Sequence, residues 1–403
     1  MDHERILSLP FFDAHHRSMS TEFSRWVDVE LGGYTNLEDK VGEKTKDLVR
    51  KMGRAGWLRY CVPAAFGGAF DRLDSRSICI QREILTHAFA LSDASLSMQG
   101  IGSAGISLFG RPDTQAAYLP KVLSGEYVGA LALTESQSGS DVANTQATAR
   151  REGSDYIIEG TKAWISNAGI ADYYITIVRT GEAPGAKGLS AFVVDADNPG
   201  LKVEEITDIM APHPVGSLRF TNCRVSADRM LGQPGDGFKL AMATLDIFRP
   251  TAAAAALGLA RRALDEALTW IQQRKMFGQA LAKFQNTQMR VADMAVDIDA
   301  TALLVYRAAW IKDCGADHPT RSASMAKLFA SEAAGRVVDT ALQLFGATGV
   351  KHGMTIERLY REARVMRIYE GASEIQRLII GGNVIEQSIK EDGAFNKPGH
   401  DKP

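Results

Sequence analysis

Cysteine is scarce: Cys61, Cys79, Cys223 and Cys314 are the only four in 403 residues, and no two form a CxxC pair. That excludes a disulfide framework and a cysteine-built zinc site, and it suits a reducing compartment. An excess of one charge is missing too. Lys and Arg number 46 against 48 Asp and Glu, for a net charge of −2, and no basic block stands apart. The electrostatic term that non-specific nucleic-acid binding requires is therefore absent, so no DNA or RNA partner is expected. No apolar run approaches the ~18 residues of a membrane span, and MDHERILSLPFF lacks the apolar stretch of a signal peptide. These absences predict a soluble cytoplasmic protein without a membrane span. The one histidine pair, His15 and His16, falls in an N-terminal segment that reads as mobile, and the other six histidines show no ligand spacing, so no metal is expected. GxSxG, Walker A and internal repeats are likewise missing.

Two short matches are decoys. QGIGSAG carries a formal GxGxxG at Gly100, Gly102 and Gly105, but no strand precedes it, and tight helix packing or a loop explains the glycines. SMAK, Ser324 to Lys327, matches the SxxK of serine acylases without the SDN and KTG companions, and reads as packing and solvent-facing surface.

What is present is 45% apolar content over a length that sets a prior of roughly two or three domains. The chain changes texture twice. From about 37 to 123 the segments KTKDLVRKMGRAGW and SICIQREILTHAFA are helical in pattern, broken at Gly67-Gly68 and Arg111-Pro112. From about 127 to 235, YIIEG, DYYITIVRT, LSAFVVDAD and SLRFTNCRV are short, β-branched or aromatic, and separated by turn clusters. Helical spacing then returns: Leu257, Leu264, Leu268 and Ile271, then Val291, Met294, Ile298, Ala302 and Val305, then Val338, Ala341, Leu342 and Phe345, with a fourth stretch after Ser373. The predicted class is α+β: an N-terminal α-helical domain (1–126), a middle β domain (127–236), a C-terminal four-helix bundle (237–390) and a disordered polar tail (391–403).

Within MRIYEGASEIQR, Glu370 sits between an aromatic and Gly371, with Ser373 an N-cap candidate for the next helix. A junction of that kind surrounds the acid with something other than bulk water. Three Gly/Ser-rich or aromatic stretches also resist a packing explanation: LALTESQSGSD (131–141), KAWISNAG (162–169) and QLFGATG (343–349).

Together with RKMFGQALAKFQ (274–285) and IYEGASEIQR (368–377), in this order and spacing, they resemble the acyl-CoA dehydrogenase family over about residues 37 to 386. The resemblance implies a homotetramer that binds FAD, oxidises an acyl-CoA to the trans-2-enoyl thioester, and passes electrons to an external acceptor such as an electron-transfer flavoprotein. By similarity Leu133, Thr134, Gly139 and Ser140 meet the flavin, Ser140 also meets the start of the acyl-CoA, and Trp164, Ile165 and Ser166 lie along the flavin face and its N5 edge. Arg274, Phe277, Gln285, Gln343 and Gly346 would hold the adenine and pyrophosphate end of an FAD bound mainly by a neighbouring subunit, and Ala372, Ser373 and Glu374 would complete the cofactor contacts. Glu370 would be the base that removes the α-proton, with Tyr369, Gly371, Asp246, Phe248 and Arg249 around the substrate. Asp246 and Arg249 read equally well as a structural ion pair.

Some family members carry the base just before the arginine of LDIFRP, where this chain has Phe248. That supports Glu370 and reshapes the acyl pocket. SQS replaces a Pro-Gly type turn, WISNAG a double glycine, and Ala347 a glycine, and the IMAPHPVGSLRF loop is about two residues short. A same-fold oxidase or monooxygenase, a dehydrogenase of carrier-bound acyl groups, and a scaffold without turnover stand as alternatives.

Overall fold

A computed structural model describes residues 3–32, 38–315 and 319–395. Six helices come first: α1 (His3–Leu7), α2 (Ala14–Leu31), α3 (Val41–Arg54), α4 (Ser75–Ala88), α5 (Ala90–Phe109) and α6 (Pro112–Ser124). The N-terminal segment is not the mobile arm its composition suggested. Asp13 and His16 cap α2 reciprocally, and Met19, Phe23, Val27 and Leu31, four apart along the helix, are buried in the main core. His16 is fully buried and bonds Asp74 at 3.0 Å.

QGIGSAG lies inside α5, which disposes of a phosphate loop and bears out the packing explanation. A Cβ on Gly102 would sit 2.6 Å from the backbone carbon of Gly129, and one on Gly100 would sit 2.5 Å from the ring of Phe248. The glycines let α5 press against the sheet on one side and a later helix on the other.

An eight-stranded sheet follows, built from β1 (Gly129–Ala132), β2 (Thr148–Glu152), β3 (Asp155–Ser166), β4 (Tyr173–Arg179), β5 (Leu189–Asp195), β6 (Leu201–Thr207), β7 (Val215–Ser226) and β8 (Met230–Leu231). The order is β6-β7-β3-β2-β4-β5-β8, with β1 parallel to β4. The anticipated strands are β3, β4, β5 and β7. The edge strand β6 escaped notice because LKVEEIT is exposed along most of its length and shows no in/out alternation.

Helices then resume: α7 (Gly237–Gln273), the hairpin β9 (Lys275–Met276) and β10 (Gln279–Ala280), α8 (Gln285–Asp313), α9 (Pro319–Phe345), α10 (Thr355–Val365) and α11 (Ser373–Phe395). The four long ones, α7, α8, α9 and α11, correspond to the four periodic stretches, and α10 is an added short element. α7 is long and apolar enough to cross a membrane, but 78% of its apolar window is buried inside the protein. α11 runs to Phe395, past the start assigned to the tail; residues 396–403 lie outside the described residues.

Candidate active site

Glu370 sits in the turn between α10 and α11, with its backbone left-handed at φ +53, and Gly371 follows at φ +95. A non-glycine residue in this region is held against its preference, which requires support from its surroundings. That support is visible: the Gly371 carbonyl accepts from Lys327 Nζ at 2.8 Å and from Gln376 Nε2 at 3.0 Å. Ser373 does not cap α11 with its side chain. It is the first residue of the helix, and its hydroxyl donates to Glu332 of α9 at 2.7 Å, tying the turn to the bundle.

The Glu370 side chain is 13% exposed, and its Oε2 is buried without a hydrogen-bond partner. Burial raises its carboxyl pKa, while Arg82 and Lys327, then Arg249, pull the other way. Arg82 is almost wholly buried on α4. Its Nε and Nη2 bond Asp93 at 2.7 and 2.9 Å, and Nη1 donates to Thr251 Oγ1 at 2.9 Å while lying 3.6 Å from Glu370 Oε1. Thr251 donates in turn to the Phe248 carbonyl at 2.8 Å. Buried charges persist only when paired in this way, and the network fixes α4, α5 and α7 around the acid.

Asp246 and Arg249 form the ion pair that was one of their two readings, at 3.3 Å, and Thr320 donates to the free oxygen of Asp246 at 3.1 Å. Phe248 is fully buried against Gly100. Tyr369 is half-open, at 36% exposure.

Lys327 corrects the reading of SMAK as packing and solvent-facing surface. Only 2% exposed, it has its pKa lowered to about 8 by burial, with Glu370 acting in the opposite sense. Arg82, Asp93, Thr251, Lys327 and Gln376 were all missed by motif reading. The available signal was an arginine inside the apolar SICIQREIL and the lysine of SxxK.

On the sheet side, LALTE and KAW are braced together. Thr134 O accepts from Ala163 N at 2.9 Å, Leu133 O accepts from Lys162 Nζ at 3.0 Å, and Lys162 also reaches Glu135 at 2.8 Å. Glu135 further takes the amides of Gln146 and Ala147. Trp164 lies at a register break in β3 with φ +59, and its side chain is 61% exposed, so it is not a core tryptophan. Ile165 is buried beside it, and Ser166 Oγ lies 2.7 Å from His213 Nε2. Burial lowers the His213 pKa to about 4, so this ring is neutral near pH 7. Gly139 and Ser140 are exposed in the turn after β1.

The two sides meet through α5: Asn167 donates to Gly129 O at 3.0 Å, Gly129 is packed on Gly102, and Gly100 touches Phe248. A second group lies farther along α7. Trp270 stacks on Phe345 with ring centres 4.7 Å apart and donates to Leu344 O, which brings the hairpin carrying Arg274 and Phe277 to the same end as Gln343 and Gly346. Phe277 is 90% exposed at φ +47, and Gln285 and Gln343 are exposed. At ~1.5 Å per residue, Arg274 lies ~37 Å along the helix from Arg249.

One buried acid is outside this chemistry. Glu362 on α10, 1% exposed, is raised from 4.5 to about 7 by burial, against the pull of Arg358 3.4 Å away. Its folded state holds the proton more tightly than the unfolded one, so stability is fully present below about pH 4.5 and lost as pH rises through about 7. Glu362→Gln should remove this loss, worth at most about 3 kcal/mol. The melting temperature of the parent should fall across that window while the variant's stays flatter, and parallel curves would refute the assignment.

The helical side thus holds a buried acid among cations, and the sheet side holds an outward-turned indole on a braced strand. Three family profiles cover the chain in order: acyl-CoA dehydrogenase N-terminal domain (13–126), middle domain (130–223) and C-terminal domain (235–385). The human short-chain specific acyl-CoA dehydrogenase, mitochondrial, is 40% identical over 340 residues, 84% of this chain and 82% of the relative. Among solved structures, butyryl-CoA dehydrogenase from Megasphaera elsdenii superposes with TM-score 0.85 at 32% identity, over 91% of this chain and 98% of that one. An acyl-CoA dehydrogenase complexed with FAD from Bacillus anthracis superposes with TM-score 0.85 at 28% identity, over 94% and 68%.

The chain belongs to the acyl-CoA dehydrogenase family. It is an oxidoreductase of FAD-dependent acyl-CoA dehydrogenation. The residues present fit FAD: the exposed Trp164 supplies an aromatic plane, and the Leu133–Thr134 edge, bonded to neighbouring Ala163, is braced by Lys162.

Proposed function

We propose that Glu370 is the base that takes the α-proton of an acyl thioester and that the product is the trans-2-enoyl thioester. The observation carrying this reading is the Glu370 carboxylate itself: enclosed, raised in pKa by burial, ringed by three cations and left with one oxygen unpartnered. A base in water would be too weak and too well solvated, whereas a desolvated carboxylate approaches the pKa that proton abstraction from carbon needs. Arg82, Lys327 and Arg249 keep enough of it ionised to act. The backbone N–H of Glu370 would donate to the thioester oxygen as charge develops there. FAD, when bound, supplies the acceptor for the hydride leaving the β-carbon.

The cofactor would rest on Trp164, Ile165 and Ser166, with Leu133, Thr134, Gly139 and Ser140 along its edge and Ala372, Ser373 and Glu374 beyond the base. Ser140 would also meet the thioester end of the substrate, with Tyr369, Gly371, Phe248, Asp246 and Arg249 around the acyl group. Phe248, buried against Gly100, limits the pocket and supports a compact acyl group.

The separation of Arg274, Phe277, Gln285, Gln343 and Gly346 from Arg249 along α7 supports their serving the FAD of a second copy in a homotetramer. Exposed Met289, Val296, Leu303 and Ile389 offer apolar surface for that assembly. Electrons would leave to an external acceptor such as an electron-transfer flavoprotein, in the cytoplasm.

Anaerobic addition of a panel of acyl-CoAs to the yellow enzyme tests the reading. Bleaching with at least one compact acyl-CoA is expected, with little release of peroxide on aeration. Bleaching by none of them, or stoichiometric peroxide under turnover, would overturn it.

A further inference from the structure

Three cations from three helices surround Glu370, and two of them are committed elsewhere. Arg82 on α4 serves Asp93 and Thr251, and Arg249 on α7 serves Asp246. Lys327 on α9 differs: its hydrogen bond goes to a backbone carbonyl, that of Gly371, the residue directly after the base. An ammonium buried to 2% exposure opposes folding unless something specific compensates it, and here the compensation is the turn that carries Glu370.

We infer that Lys327 is a positioning residue for Glu370: with Gln376 it clamps the Gly371 carbonyl and so holds the left-handed turn bearing the carboxylate, and its charge keeps that carboxylate ionised. The inference rests on Glu370 being the base. Two donors converging on one carbonyl fix the plane of the 371–372 peptide, and with it a backbone that Glu370 would otherwise abandon.

The charges facing Lys327 are Glu370, Glu332 and Glu374 as acids and Arg249 as a cation; those facing Glu370 besides Lys327 are Arg82, Asp93 and Arg249. Removing the Lys327 charge takes away a stabiliser of the ionised carboxylate, so the carboxyl holds its proton to higher pH. Activity, which needs the ionised form, then sets in later as pH rises.

The test compares Lys327→Met, Lys327→Gln and Lys327→Arg as FAD-loaded enzymes, with flavin content and melting temperature recorded beside kcat, KM and the pH profile of kcat/KM. Lys327→Met should lower kcat by about 10- to 100-fold with little change in KM. Its acid limb should move alkaline by on the order of one pH unit. Lys327→Gln, which keeps a donor without the charge, should recover most of kcat at the plateau but retain the displaced limb. Lys327→Arg should restore both in large part.

Should Lys327→Met fail to fold, the Gln and Arg variants carry the comparison. Acid limbs of the folded variants that superimpose on the parent's would overturn the inference. Glu370→Gln, run alongside, separates the two ideas: near-normal turnover there would sink the base assignment itself, whereas an inactive Glu370→Gln beside unshifted limbs would sink only the role of Lys327.

Discussion

Glu370→Gln is expected to retain flavin and fold while its anaerobic bleaching by acyl-CoA slows by about 10²- to 10⁴-fold, the range that general-base action contributes. Glutamine has nearly the same shape, so the left-handed turn, the Lys327 and Gln376 bonds to Gly371 and the contact with Arg82 are preserved in outline. What is lost is the basic oxygen. The burial that raises the acid's pKa ceases to matter for a neutral amide, so the variant should bind a substrate thioester about as tightly as the parent. Stopped-flow bleaching with melting temperature as the fold control settles the matter. A rate within a few-fold of the parent would show that the proton leaves by another route.

Arg82→Met should be the most damaging change to stability. It removes the partner of Asp93, which is 4% exposed and takes two bonds from the guanidinium. Stranding a buried carboxylate typically costs about 3–5 kcal/mol, measurable by denaturant unfolding of the loaded enzyme. The double variant Arg82→Met/Asp93→Asn should recover part of that cost, because the stranded charge is gone. Equal stability of the parent and Arg82→Met would contradict the network as described. Arg82 also stands 3.6 Å from Glu370, the proposed base, so an accompanying rise in the pH at which activity sets in is expected.

Much of this was legible in the residues. Apolar spacing found the long helices, and β-branched runs found β3, β4, β5 and β7, because both periods are dictated by backbone geometry and burial. Five ordered motifs located Glu370, Trp164 and the exposed hairpin. What escaped notice depends on tertiary neighbours. Lys327 looks like any helix lysine until α11 turns back and offers it the Gly371 carbonyl. Arg82 is an isolated charge in an apolar stretch until Asp93, eleven residues later, folds beside it. Glu362 and His213 have no motif at all, since burial is the largest cause of the character of the first and the whole cause for the second. The N-terminal arm misled because its cap and its four-residue apolar spacing are modest in sequence and become decisive only when α2 docks.

α7 is one uninterrupted element of 37 residues, about 55 Å of rod. Its first glycine is wedged against Leu189 and Ser190 of the sheet, Phe248 and Arg249 sit a third of the way along, and the hairpin bearing Phe277 hangs from its far end. Just past Arg249, Pro250 has no amide to donate, so the helix ladder is weakest there. The ladder thus lacks one rung between the stretch docked on the sheet and the stretch that ends at the hairpin, and a bend of the rod, if one is imposed, falls between those two anchorages.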